Sequence, residues 1–143
     1  MHPPHRHLPQ LLGDARRWFE DSLLAAMNAS GGHPVTSTQV QLFAVLDAEG
    51  TTIATLARRM GVTRQTAHQA VHALVAAGLL EQTPDPTSAR QRLIRRTPQG
   101  EQAHQQAERL LEDLEHQLAE RIGPESVSSL RKILELPWGP LPS

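Results

Sequence analysis

Thr63, Arg64, Gln65, Thr66, His68 and Gln69 form a run of hydrogen-bonding side chains broken only by Ala67. Arginine can give two parallel hydrogen bonds to O6 and N7 of guanine, and glutamine can pair with an adenine edge. If this run opens a helix, the residues just after the N-cap are the first to reach base edges, so these six are expected to form a DNA-facing surface. Arg90 and Arg92 belong to a second basic segment expected to lie against the DNA beside it, and Arg58 and Arg59 are candidates for phosphate oxygens. For each arginine a plain solvated surface is the competing explanation. His68 and His72 stand four apart, a spacing that can hold a metal on a helix, but two imidazoles fall short of a structural zinc site and no metal is expected. Catalysis needs a nucleophile beside a base, paired carboxylates or a glycine loop for phosphate, and the chain shows no such spacing. Neither an enzyme nor a cofactor is expected.

The elements that must carry these side chains can be read from the apolar spacing. Leu12, Ala15, Phe19, Leu23 and Met27 recur at helical intervals and predict a first amphipathic helix, stopped by Ser30-Gly31-Gly32-His33-Pro34. A second helix is expected over 38–47, capped by Ser37 or Thr38, with Val40, Phe43 and Leu46 inward. Thr52 can cap a third, short helix with Ile53, Leu56, Ala57 and Met60 on one face, and Gly61-Val62 provides a tight exit. Thr63 then starts a fourth helix, with Ala67, Ala70, Val71, Leu74 and Val75 inward, closing at Gly78. Two short helices about a glycine turn, with small Ala57 and Ala67 between them, make a helix-turn-helix.

Leu79-Leu80-Glu81-Gln82-Thr83 and Gln91-Arg92-Leu93-Ile94-Arg95-Arg96-Thr97 predict two strands, with Pro84 to Ala89 as a loop that does not continue the first. A helix-turn-helix followed by such a hairpin is a winged helix. From Pro98 a long helix is expected, with Ala103, Ala107, Leu110, Leu111, Leu114, Leu118 and Ile122 as its apolar stripe, ended by Gly123-Pro124. A last helix over 125–136 is expected to bury Val127, Leu130, Ile133 and Leu134. The fold class is therefore mainly α: a winged helix-turn-helix with a two-stranded β-wing, flanked by N- and C-terminal dimerisation helices. The expected division is a disordered tail at 1–8, holding His2, His5 and His7, and an N-terminal dimerisation helix and linker at 9–36. The winged helix takes 37–97, C-terminal dimerisation helices take 98–137, and a Pro-rich tail takes 138–143.

Composition agrees. The 143 residues are 38% hydrophobic and 3% aromatic, without tyrosine, so one core must be built mainly from aliphatic side chains, which suits packed helices. There is no cysteine, hence no disulfide, thiolate zinc or iron–sulfur site. No export signal or membrane-spanning run is visible, and a cytoplasmic location is expected. The formal net charge is only −1. Residues 51–97, however, carry seven arginines against Glu81 and Asp85, a local balance of +5, while the segments before and after stand at −2 and −4. A basic middle between acidic ends suits a polyanion at the centre and another partner at the flanks.

The chain resembles the multiple antibiotic resistance regulator (MarR) family of bacterial transcription regulators. Three stretches carry the likeness: Leu56-Ala57-Arg58-Arg59-Met60-Gly61-Val62-Thr63, Leu74-Val75-Ala76-Ala77-Gly78-Leu79-Leu80, and Asp85-Pro86 through Arg90 to Thr97-Pro98-Gln99-Gly100. The resemblance implies a homodimer on pseudo-palindromic double-stranded DNA, acting as a repressor released by a small aromatic or lipophilic ligand. Trp18, Phe19 and His33 are expected at such a ligand pocket. Ser88 and Ala89 depart from the Asp-Arg that usually precedes the wing arginine, here Arg90, and Arg96 stands where the family usually has leucine. A winged helix used only for protein contact is the alternative.

Overall fold

The computed structural model describes residues 5–29 and 35–143. Expectations that fall on 1–4 and 30–34, including the stop after the first helix and His33, lie outside the described residues. The elements run α1 (Leu8–Ala29), α2 (Ser37–Val45), α3 (Ile53–Met60), α4 (Arg64–Ala76), β1 (Leu80–Asp85), β2 (Ser88–Arg96), α5 (Pro98–Ile122) and α6 (Pro124–Glu135). This is the expected mainly helical winged helix with a two-stranded antiparallel wing and flanking helices.

Local sequence explains most boundaries. Thr52 accepts from the Thr55 amide and Thr63 from the Thr66 amide, so each short helix of the helix-turn-helix starts on a threonine oxygen. Thr97 does the same for α5, accepting from the Gly100 amide, with Pro98 in the first turn. Between α3 and α4, Gly61 turns the chain at φ +69°, a left-handed conformation that only glycine adopts cheaply. The second helix starts differently from expectation. Thr36, not Ser37 or Thr38, is its cap, and Gln39 returns a bond to the Thr36 amide, closing a capping box.

The wing also differs. Its strands continue through the segment expected as a loop: Pro84 sits opposite Arg92, and after an irregularity Asp85 sits opposite Ser88. A two-stranded ribbon has only edges, where a residue without an N–H costs little, so Pro84 does not end the strand. The Thr87 amide and hydroxyl both donate to Asp85 Oδ1 and hold that carboxyl below its usual range, closing the tip. At the root, Thr51 exchanges both backbone hydrogen bonds with Ile94, adding a one-residue third rung.

The core joins Leu42 and Leu46 of α2 and its C-cap to Leu56 of α3, Val71 and Leu74 of α4, and Leu80 and Ile94 of the wing. Leu42, Leu56 and Ile94 are fully buried. Burying a side chain of this size stabilises by ~1.5–3 kcal/mol, so these contacts set the orientation of α4 against the wing. Arg96 is buried among them. Its Nη2 donates to the Phe43 carbonyl at 3.0 Å and the Leu46 carbonyl at 3.2 Å, and its Nη1 lies 3.5 Å from the Glu101 carboxylate.

Helix α1 is tied to α2 by Glu20, which accepts from Arg16, Ser37 and Gln41. Burial would raise this carboxyl; the three hydrogen bonds and the Arg16 charge outweigh it and hold it below the usual range. Helices α1 and α5 pack together, and α6 folds back along α5, where Arg131 pairs with Glu115. The apolar face of α6 is not buried within the chain, contrary to the expectation for Leu130, Ile133 and Leu134. All three are exposed, as are Leu8, Leu11, Leu12 and Ile122. The 25 residues of α5 span ~37 Å, longer than one small core can cover. No helix among the described residues is long and apolar enough to cross a membrane.

Candidate nucleic-acid interface

Helix α4 presents two faces. Ala67, Ala70, Val71 and Leu74 are buried against the core, while Arg64, Gln65, His68 and Gln69 are exposed. Beside its first turns lies an open cleft of ≈ 550 Å³. Arg64, Gln65 and His68 form one wall, Arg90, Gln91 and Arg92 of the wing form the other, and the start of α3 from Thr52 to Ala54 forms the floor with Gln82. The fold thus brings together two segments 26 residues apart that composition alone marked as basic. Three arginines and no carboxylate line this cleft, so its field is positive throughout.

The other expected contacts are placed differently. Thr63 and Thr66 are bonded to each other at 2.9 Å and Thr63 is engaged as the cap, so their hydroxyls serve the helix start. Gln69 is exposed but lies outside the cleft lining. Arg58 is exposed, with a long 3.4 Å contact to Thr55 Oγ1, and remains available at the surface. Arg59 is committed within the chain: its Nη1 donates to the Val45 carbonyl at 2.8 Å and pairs with Asp47 at 3.1 Å, capping the C-terminus of α2. The expectation of a phosphate contact is weakest there. His68 and His72 stack with ring centroids 6.1 Å apart, and among the described residues no group of three or more His, Asp or Glu could hold a metal.

Gln82, Gln91 and the α3 start were missed in the sequence. The alternation of basic and neutral residues along 90–92 was a signal for Gln91. For Thr52 to Ala54 only the packing of α3 on β2 reveals proximity.

A second concavity, ≈ 80 Å³ and almost wholly apolar, lies where α1, α2, α4 and α5 meet. Leu23, Met27, Val40, Phe43, Ala107 and Leu111 contribute to it, with His104 and Glu108 at its wall bonded at 2.9 Å. Trp18 and Phe19, expected at a ligand pocket, are not part of this lining. They stack edge to face with each other, and the Arg121 guanidinium sits 6.0 Å from the Trp18 ring. The packing of α1 on α5 draws Trp18 toward Arg121, away from the cavity.

The model of the MarR family matches residues 33–91, from the approach to α2 through the wing tip to Gln91. Over that segment the winged helix is similar to the MarR family. Solved structures extend the likeness beyond the matched segment. Wild-type MarR from E. coli in its apo form superposes with a TM-score of 0.77 at 20% identity, over 94% of this chain and 100% of that one. CouR, a transcriptional repressor bound to a 23-mer DNA duplex, gives 0.72 at 22% identity, over 90% and 89%. NadR in complex with 4-hydroxyphenylacetate gives 0.72 at 19%, over 94% of each chain. No curated protein matches in sequence. At these identities the structures show a shared fold, flanking helices included.

Proposed function

We propose that this protein is a dimeric bacterial transcriptional regulator that reads a pseudo-palindromic duplex, acting as a repressor released by a small aromatic or lipophilic ligand and catalysing no reaction. The observation that carries the reading is the cleft between α4 and the wing, with three arginines, two wall glutamines and no carboxylate. Arg64 and Gln65 are the base-reading residues, with His68 and Gln69 farther along the helix and Thr63 and Thr66 setting its start. Arg90 and Arg92 carry the wing to the backbone or the adjacent minor groove, and Arg58 contacts phosphate. The exposed apolar residues of α1, α5 and α6 supply the dimer surface, which would place two α4 helices on half-sites about one helical turn apart. That CouR is a repressor bound to duplex DNA and NadR binds an aromatic acid supports both halves of the reading.

The salt dependence of binding tests it. If Arg58, Arg90 and Arg92 of both protomers each neutralise a phosphate, log K against log salt has a slope of about −5. Fluorescence anisotropy with the duplex upstream of the protein's own reading frame, at several salt concentrations, measures it. Binding that ignores salt, or no binding at all, favours the winged helix as a protein-contact module instead.

A further inference from the structure

Arg96 ends β2, the strand that carries Arg90 and Arg92, yet its own side chain is 9% exposed and points into the protein. Its guanidinium holds the last carbonyls of α2, pairs with Glu101 of α5, and lies 5.8 Å from the centroid of the Phe43 ring. Its Nε has no hydrogen-bond partner. A buried guanidinium with an unpaired N–H is a costly way to fill a core position that an aliphatic side chain could occupy. What the charge adds is direction: three acceptors on two helices fix the end of β2 relative to both. Phe43 belongs to a different site. It lines the apolar cavity and stacks against His104, with rings 24° from parallel and 6.4 Å apart. His104, Phe43 and Arg96 therefore form a continuous stack from the cavity wall to the root of the wing.

We propose that Arg96 is a positioning residue for the wing arginines, and that it couples the wing to the state of the cavity through Phe43. This rests on the cleft being a DNA interface. Displacing Phe43 moves the ring on which Arg96 lies and the carbonyl it holds, so the base of β2 follows.

The test is a double-mutant cycle on the full chain, using Arg96→Leu, Phe43→Leu and the pair, with duplex affinity read by anisotropy and wing opening by amide hydrogen exchange in the free protein. Arg96→Leu is expected to speed exchange across 80–96 but not across α4, and to weaken duplex binding about ten-fold with a shallower salt slope. Phe43→Leu is expected to weaken binding less, and to add nothing in the Arg96→Leu background. Arg96→Lys, which keeps charge but cannot span both α2 carbonyls, gives the same pattern at smaller size and serves if the leucine variant does not fold. Multiplicative losses for Phe43 and Arg96, or wild-type salt dependence in Arg96→Leu, overturn the proposal. Failure of the wild-type protein to bind duplex overturns the DNA reading itself and is distinguished by the exchange data, which need no DNA.

Discussion

Arg64→Ala is expected to weaken binding to the preferred duplex by ~1–3 kcal/mol per half-site while leaving affinity for a random duplex nearly unchanged. The reason is where the side chain sits. Arg64 opens α4, is exposed, and faces the cleft, so on the proposed reading its loss removes a bidentate donor from the end of the helix placed to meet base edges first. Folding should be untouched, because Thr63 continues to cap the helix through the Thr66 amide. Competition anisotropy against specific and random duplexes measures both losses. An equal fall on the two would mean that Arg64 acts as a general phosphate contact, and base reading would have to rest on Gln65 or His68.

Gly100→Ala is expected to be the most damaging glycine-to-alanine change among the described residues. Gly100 is buried in the first turn of α5, and a Cβ there would lie 1.9 Å from the Leu79 carbonyl oxygen. That oxygen accepts from the Thr97 amide, and the Thr97 hydroxyl donates to the Gly78 carbonyl at 2.6 Å. The neighbour is backbone at the start of the wing, so α5 must move away and these junction bonds stretch. Overpacking of this kind costs typically 1–3 kcal/mol and here should reach the upper end or beyond. Urea unfolding measures it. Gly13→Ala in α1 is the control: nothing lies within 4 Å of its Cβ position, and the variant should be more stable by ~0.5–1 kcal/mol. Wild-type stability in Gly100→Ala would mean that α5 is not seated on the wing as described.

How far the sequence alone reached can be judged from these same elements. The helix-turn-helix was legible because its signals are local: Thr52 and Thr63 cap what they precede, Gly61 takes a left-handed turn, and Leu56, Ala57, Ala67, Ala70, Val71 and Leu74 keep a clean helical period. Helix α2 was less so. Val40, Leu42, Phe43, Ala44, Val45 and Leu46 are apolar on nearly every side, so periodicity did not single out Leu42, which is fully buried, over Val40, which is half-buried. In the wing, Pro84 suggested an interruption because local rules cannot see that a two-stranded ribbon has no central strand.

The cleft was half legible. Residue types named Arg64, Gln65, His68, Arg90 and Arg92, and tertiary packing alone put Thr52 to Ala54 and Gln82 beside them. Counting arginines overstated the basic face. Two of the seven in 51–97, Arg59 and Arg96, are used on the C-terminus of α2, a partnership set by a helix of unremarkable sequence up to some fifty residues away. The apolar cavity was not legible: Trp18 and Phe19 lie outside its lining, and its walls are chiefly aliphatic residues that any core would contain.

The claim that two α4 helices read an inverted repeat is tested most directly by selecting bound duplexes from a pool with randomised centres, using the wild-type protein. The account predicts an enriched pseudo-palindrome whose half-sites are separated by about one helical turn, ~10–10.5 base pairs. Recovery of a single unrepeated site, or of unenriched sequence held only by charge, would contradict it.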